Sequence, residues 1–136
     1  MSRIRAQDTS PELTVRSVLH RAGFRFRRHG RDLPGRPDIV LKRYGVCVFV
    51  HGCYWHRHPG CWNCTTPTRN RALWMKKFAE NVQRDQRNIR KLKRLGWRVA
   101  VVWECEVSDG RSMRAVLRLL ADARSRAAEE QRLAIR

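Results

Sequence analysis

The sequence predicts an α/β protein in which one mixed central sheet is flanked by helices. Its 136 residues are 42% hydrophobic, which is enough for one compact core but hardly for a second. Short apolar runs alternate with longer segments that have the period of an amphipathic helix, in the order α-β-β-β-α-β-α. Helices before, between and after strands are expected to cover the faces of a shared sheet. Because no repeat, low-complexity tract or linker interrupts the chain, we expect residues 1–136 to form a single domain.

The first helix is predicted to begin at Ser10, whose side chain can cap it. Pro11 suits the first helical position, and Glu12 is favourable near the positive end of the helix dipole. The apolar pattern continues to Ala22, and Gly23 can end the helix.

Three strands are predicted next. Phe24–Arg27 alternates between aromatic and basic residues, and Asp38–Leu41 is apolar after its first residue. Val46–Val50 is rich enough in β-branched residues to be a central strand. A turn at Arg43–Gly45 is expected to join the last two strands as an antiparallel hairpin centred on Tyr44.

The second half of the chain begins with an inserted loop, residues 51–67, which has no period and contains most of the Cys and His residues. A long amphipathic helix is predicted over Arg69–Leu95, with Gly96 ending it. A strand over Trp97–Trp103 and a closing helix over Met113–Leu133 complete the domain. The apolar face of the long helix is predicted to consist of Trp74, Phe78, Val82, Ile89, Leu92 and Leu95.

The charge of the chain predicts a nucleic-acid partner. Thirty Lys and Arg residues against 12 Asp and Glu give a net charge of +18, which a polyanion would neutralise. Arg36, in a basic turn, is a candidate DNA-binding residue. The alternatives are a basic surface that only confers solubility and, less favoured, a membrane surface, since the five Trp are not gathered on one amphipathic face. Without an apolar leader or a spanning segment, we expect a cytoplasmic protein with no membrane partner.

The cysteines favour a metal site over disulfides. The five Cys are odd in number, and three of them lie close together beside His residues. Zinc takes four nitrogen or sulfur ligands, and the candidate ligands are Cys53, His58, Cys61 and Cys105. Cys64 competes for the fourth position, because it forms a common zinc pair with Cys61. Cys47 is predicted to be a small core residue, and buried cysteines without metal remain the alternative.

Asp38 and Val50 are candidates for a catalytic metal site. A hairpin centred on Tyr44 would place them side by side, about 5 Å apart across an antiparallel pair. The Asp38 carboxylate and the Val50 backbone carbonyl would then offer two hard oxygen ligands to a nuclease metal. The alternative is that Asp38, which follows Pro, is simply a turn residue.

Acid–base and stacking residues follow in the loop, which contains His51, His56 and His58. Zinc requires only one or two of these histidines, so at least one is available for proton transfer near neutral pH. Tyr54 and Trp55 precede His56 directly, and aromatics in a basic background suit a protein that unstacks bases. Alternatively, Trp55 packs within the zinc loop and Trp74 packs in the helix core.

Five collinear blocks carry a resemblance to a known family: Leu33–Asp38, Val48–His56, Asn81–Asp85, Leu95–Val99 and Val102–Cys105. They resemble the very short patch repair (Vsr) DNA mismatch endonucleases, over about three-quarters of the chain, from about Asp8 to Cys105. The resemblance implies a fold of the restriction-endonuclease-like (PD-(D/E)xK) superfamily. It also implies a bacterial-type, nucleoid-associated protein.

The resemblance implies a role for each matching residue. Asp38 matches the metal-binding aspartate, and Val50 matches the residue whose carbonyl joins it. His56 matches the catalytic histidine, Asp85 the acid that orients it, and Glu12 and His51 the residues that hold metal-bound waters. The structural zinc ligands match Cys53, His58, Cys61 and Cys105. The aromatics that wedge into DNA beside the mismatch match Tyr54, Trp55 and Trp74.

Three departures accompany this resemblance. The superfamily usually has an acid at the Val50 position and Lys at the Gly52 position; this chain has neither, as in the repair subgroup, where His56 replaces the Lys. The best-known member of the family has Thr at the Val50 position, which is harmless if only the carbonyl acts. The chain begins a few residues before Asp8, so most of the family's minor-groove arm is expected to be missing.

The expected function is strand-specific nicking of double-stranded DNA at T:G mismatches left by deaminated 5-methylcytosine. Mg²⁺ would serve catalysis and Zn²⁺ structure, and the cut would leave 5′-phosphate and 3′-hydroxyl ends. The expected partners are mismatch-repair proteins and a cytosine-5 methyltransferase system, and we expect a monomer. One alternative is a nuclease of the same family with a restriction-like target. The other is a non-catalytic zinc DNA-binding module, which would not need Glu12, Asp38, His56 or Asp85.

Overall fold

A four-stranded mixed sheet lies at the centre of the protein. The computed structural model describes residues 9–62, 64–107 and 110–135. Residues 1–8, where most of the family's minor-groove arm is expected to be missing, lie outside this part of the chain. The strands are β1 (Arg27–Arg28), β2 (Ile39–Leu41), β3 (Val46–His51) and β4 (Arg98–Trp103), in that spatial order. The first three pair antiparallel, and β4 lies parallel to β3. The predicted mixed α/β architecture is confirmed.

The helices cover this sheet, and they are α1 (Ser10–Arg21), α2 (Cys53–His56), α3 (Arg71–Arg94), α4 (Glu104–Val107) and α5 (Arg111–Ile135). The long helices α3 and α5 begin and end within a few residues of their predicted positions. The short helices α2 and α4 were not predicted, because four residues are too few to show a helical period. None of the described helices is long and apolar enough to cross a membrane.

The first helix and first strand differ from their predictions. Thr9, not Ser10, caps α1, and its side-chain oxygen accepts the Glu12 N–H at 3.5 Å. The predicted strand over Phe24–Arg27 is wrong except for its last residue, since β1 begins at Arg27. Phe24 is buried in the core, so the alternation there reflects core packing and not strand pairing.

The β2–β3 hairpin has a register one residue away from the predicted one. Leu41 pairs with Val46 and Ile39 with Val48, so Asp38 approaches Phe49 and not Val50 along the backbone. The connection between the two strands causes this shift. A 3-10 turn over Lys42–Tyr44, followed by Gly45 at φ +66°, prevents Lys42 from pairing with Val46, and Leu41 takes its place.

Two core clusters lie on opposite faces of the sheet, as strand β3 shows by its alternation. Val46 and Val48 pack with residues of α1 and α5, whereas Cys47 and Phe49 pack with Leu92 of α3. Cys47 is 0% exposed, which confirms the prediction of a core residue. Leu95, predicted on the apolar face of α3, is instead 63% exposed, because the helix ends at Arg94. The two packed faces fix the end of β3, from which the candidate site is built.

Candidate active site and metal cluster

A cleft of about 510 Å³ opens where β3 ends, between the start of α1, the turn before β2, α2 and α3. Every predicted catalytic residue lines it, and these residues are Glu12, Asp38, Val50, His51, His56 and Asp85. Arg36, Tyr54 and Trp55 line the same cleft. Residues far apart in the sequence therefore meet at one end of the sheet.

Asp38 presents a partly buried carboxylate to this cleft. The backbone N–H of Val50 donates to Asp38 Oδ2 at 2.7 Å, so the two residues meet in spite of the shifted register. Burial raises the pKa of Asp38 to about 6, with Glu12 adding to the rise and the Val50 N–H opposing it. A carboxylate that is costly to ionise suits a cation, and the oxygen donors of this cleft are of the hard type that Mg²⁺ prefers.

Glu12 is the second carboxylate of the cleft and is 3% exposed. It accepts a hydrogen bond from Arg16 Nη2, one helical turn later, at 3.2 Å. Glu12 lies in the first turn of α1 and lines the same cleft as Asp38, although the two residues are far apart in the sequence.

His56 is oriented by Asp85. The ring Nδ1 lies 2.6 Å from Asp85 Oδ2, a short charge-assisted contact between α2 and α3. Because the Asp85 carboxylate accepts this hydrogen bond, the imidazole proton lies on Nδ1. Nε2 is then the nitrogen that can accept a proton. The pair has the geometry of a general base with its orienting acid.

His51 lies directly against the ring of His56. The two rings are stacked with centroids 3.9 Å apart and planes 4° apart. His51 is 6% exposed, and its Nδ1 has no hydrogen-bond partner among the described residues. Burial, followed by the charge of His56, lowers the pKa of His51 to about 4, so His51 is neutral at pH 7.

The donor atoms of His51, His56 and Asp85 come within 4.8 Å of one another, a separation at which a metal could bind. The nitrogen lone pairs of an imidazole lie in the plane of its ring. Because the His51 and His56 rings are parallel, their lone pairs do not converge on a single point, as the binding of one metal ion would require. The geometry therefore favours proton transfer at this position over metal binding.

A second cluster contains Cys53, the first residue of α2, together with His58, Cys61 and Cys105. The donor atoms of these four residues lie within 4.8 Å of one another. His58 Nδ1 is 3.3 Å from Cys105 Sγ and 3.8 Å from Cys53 Sγ. Cys64 is not part of this group. Burial raises the pKa of the Cys53 thiol to about 12, and it also raises the pKa of Cys105. Bound thiolates need a metal cation to be stable here, so these four residues could hold a metal ion.

Three residues around this cluster were missed by the sequence reasoning. Glu104 Oε1 accepts the Cys53 N–H at 3.0 Å, and Glu106 Oε1 lies 3.4 Å from His58 Nε2. A carboxylate on the outer nitrogen of a metal-binding histidine fixes its tautomer and orientation. The Trp103 ring stacks on His58 at 4.3 Å. The only signal in the sequence was the presence of acids on both sides of Cys105.

An aromatic cluster borders the cleft, and it consists of Tyr54, Trp55, Trp74 and Phe78. Trp55 lies 6.2 Å from Trp74 and 5.0 Å from Tyr54 between ring centroids. Lys77 Nζ lies 5.5 Å from the Trp74 centroid and 5.9 Å from the Trp55 centroid. Tyr54, Trp55 and Trp74 are only partly buried, so the three predicted wedge residues form one accessible group.

Comparison with known proteins shows which enzymes the chain resembles. Residues 1–63 match the family model described as DNA mismatch endonuclease Vsr. The chain is 48% identical to the type II nicking enzyme V.XorIIP of Xanthomonas oryzae pv. oryzae, over 90% of this chain and 89% of the relative. It is 40% identical to the type II nicking enzyme V.NmeAIP of Neisseria meningitidis, over 80% and 77%. It is 43% identical to the DNA mismatch endonuclease Vsr of Escherichia coli, over 77% of this chain and 67% of the relative.

The protein is therefore an endonuclease that acts on DNA. Within that class, the chain belongs to the Vsr family, as the sequence resemblance indicated.

Proposed function

We propose that the protein nicks one strand of double-stranded DNA at T:G mismatches that arise from deaminated 5-methylcytosine. The observation that carries the nicking chemistry of this proposal is the His56–Asp85 pair, which lines one cleft together with the partly buried Asp38 carboxylate. The Escherichia coli relative is named a DNA mismatch endonuclease, and other relatives are named nicking enzymes. The cut leaves 5′-phosphate and 3′-hydroxyl ends.

In this proposal, Asp38 and the backbone carbonyl of Val50 hold Mg²⁺. When bound, Mg²⁺ polarises the scissile phosphate and stabilises the leaving oxygen. Burial keeps the Asp38 carboxylate in a fixed position, and the Val50 N–H holds one of its oxygens. Glu12 and His51 orient water molecules in the cleft.

His56 is the general base in this mechanism. Its Nε2 accepts a proton from the attacking water, while Asp85 holds the Nδ1 proton and stabilises the resulting imidazolium. His51, neutral at pH 7, packs against the ring of His56 and limits its rotation. The two stacked histidines therefore have different roles: His56 bonds to Asp85 and transfers the proton, whereas His51 is buried and neutral.

We further propose that the ion of the cysteine cluster is Zn²⁺ and that its role is structural. Cys53 begins α2, and Cys105 lies in α4, so a bound ion joins the helix that carries His56 to the end of β4. Four protein ligands leave no open position, which is typical of structural zinc.

DNA recognition is divided between charge and stacking. Tyr54, Trp55 and Trp74 would insert beside the mismatch, where the bases are weakly stacked and the step costs less to open. Arg36, exposed at the rim of the cleft, would contact the phosphate backbone. We propose that the protein acts as a monomer, on sites modified by a cytosine-5 methyltransferase and together with mismatch-repair proteins.

A second candidate function is favoured by the names of two of the relatives, which are type II nicking enzymes. In that case the family chemistry is the same, but the target is a restriction-like sequence. The alternative of a non-catalytic zinc DNA-binding module is set aside, because the chain belongs to a family of endonucleases.

The catalytic proposal is tested by His56→Ala and Asp38→Ala. Both variants should bind mismatched duplex with near wild-type affinity in electrophoretic shift assays, and neither should nick it. His56→Ala should lower the single-turnover rate by at least about 100-fold, the lower range for general base catalysis. A near wild-type rate for His56→Ala would eliminate it as the base.

A further inference from the structure

One buried ring supports all three predicted wedge residues. Phe78, on α3, is 3% exposed. Its centroid lies 5.3 Å from Tyr54, 6.3 Å from Trp55 and 5.9 Å from Trp74. Phe78 therefore joins the aromatics of α2 to that of α3.

The guanidinium of Arg57 also lies over the Phe78 ring. Its guanidinium carbon lies 4.0 Å from the Phe78 centroid and 5.6 Å from the Tyr54 centroid. Nη1 donates to the backbone carbonyls of Tyr54 at 3.3 Å and Thr65 at 2.8 Å. Nη2 donates to the Cys64 carbonyl at 3.4 Å and to Thr66 Oγ1 at 2.9 Å. Both terminal nitrogens of one side chain are thus engaged within the protein.

The backbone of Arg57 is also unusual. It ends α2 in the left-handed region, at φ +56°, where a residue with a side chain is uncommon. Such a conformation persists where the surrounding contacts hold it, and it is most frequent at functional sites. The contacts of the guanidinium with residues 64–66 supply that restraint.

We propose that Arg57 is a positioning residue for mismatch recognition, because it fixes Tyr54 against Phe78 before DNA binds. Trp55 is held in turn by its contact with the Tyr54 ring. This role rests on the proposed wedge function of Tyr54, Trp55 and Trp74. The internal hydrogen bonds of the Arg57 guanidinium favour a positioning role over a phosphate contact, in contrast to the exposed Arg36. Aromatic side chains that are ordered in advance lose less conformational entropy when they insert, so their contribution to recognition is larger.

The arrangement requires the shape of the guanidinium as well as its charge. A guanidinium offers a planar set of donors that can bond several carbonyls while its face lies on a ring. A lysine ammonium has three donors at a single point and cannot make the same set of contacts. Arg57→Lys therefore keeps the charge of the chain but removes the contacts that hold the wedge residues in position.

The test compares Arg57→Lys with Arg118→Lys, a matched control at an exposed arginine of α5. Affinities for T:G and T:A duplexes of otherwise identical sequence are measured at moderate salt. A 2-aminopurine beside the mismatch reports unstacking through its fluorescence. The zinc content of each protein shows whether the metal cluster is intact. Phe78→Leu serves as a second variant, since it removes the ring but remains apolar.

Arg57→Lys should reduce the T:G over T:A preference by about ten-fold, since the ordering of two aromatic side chains is worth roughly that factor. The 2-aminopurine signal should fall with it, zinc content should stay at the wild-type level, and Arg118→Lys should match wild type. Phe78→Leu should show the same loss. If Arg57→Lys keeps the T:G over T:A preference within two-fold of a discriminating wild type, Arg57 has no positioning role, whatever Phe78→Leu does. If wild type itself does not discriminate, the mismatch function fails and this role fails with it.

Discussion

Replacing Asp38 with Asn should stabilise the protein in Mg²⁺-free buffer and abolish nicking. The Asp38 pKa is raised from 3.8 to about 6, chiefly by burial, so ionisation of this carboxyl is disfavoured in the folded state. Asn keeps an oxygen for the Val50 N–H and never ionises. Catalytic sites commonly carry such a cost in stability for the sake of function.

The size and sign of this effect follow from linkage. The rise of the Asp38 pKa from 3.8 to about 6 corresponds to about 3 kcal/mol of unfolding free energy. Because the folded pKa is raised, wild type and variant should be nearly equal below pH 4. The wild type should lose stability as the pH rises through about 6, so the variant should be more stable by about 3 kcal/mol at pH 8. At pH 5 the difference should be about half as large.

Urea unfolding of both proteins at pH 5 and pH 8 measures this difference in unfolding free energy. Because both proteins have the same proposed zinc ligands, the zinc contribution to stability should cancel in the comparison. Saturating Mg²⁺ should narrow the gap at pH 8, because the cation favours the ionised carboxylate and stabilises only the wild type. Two results would refute the claim that burial disfavours ionisation of Asp38. One is an Asp38→Asn variant that is less stable than wild type at pH 8. The other is a difference in unfolding free energy between the two proteins that does not change with pH.

Further predictions concern the metal cluster and the wedge. The wild-type protein should contain about one Zn²⁺, and Cys105→Ala should lose it together with much of its stability, as elemental analysis and thermal melting would show. Cys64→Ala should keep its zinc; if it loses the ion while Cys61→Ala retains it, the ligand set is wrong. Trp55→Ala should narrow the T:G over T:A preference by about ten-fold at moderate salt, because stacking contributes roughly 1–3 kcal/mol per base. Arg36→Ala should instead weaken both duplexes together, and equal losses for Trp55→Ala would make Trp55 a packing residue.

The sequence predicted the long elements because their signals are local and repeated. Helix α3 shows its period over many turns, and β3 is a dense β-branched run between Gly45 and Gly52. The hairpin register was missed by one residue, because the 3-10 turn depends on Lys42 leaving the strand, for which the sequence gives no sign.

Prediction of the candidate site was uneven for a related reason. The meeting of Asp38 with Val50 could be predicted, because one hairpin brings both to the same end of the sheet. Glu104 and Arg57 were not predicted to have a role, since their contacts are tertiary and join segments that lie apart in the chain. The approach of Asp85 to His56 could be anticipated only from the family resemblance, because it depends on how α3 packs against α2.

The central claim is tested most directly by single-turnover nicking with the wild-type protein and Mg²⁺. T:G and T:A duplexes that differ only at that base pair are compared across a set of flanking sequences, with each strand labelled separately. We predict cleavage of one strand only, confined to T:G duplexes in a subset of contexts, with 5′-phosphate ends and no product when Mg²⁺ is omitted. Equal cleavage of T:A duplexes, or cleavage without a T:G preference in any context, would contradict mismatch recognition and favour a restriction-like target.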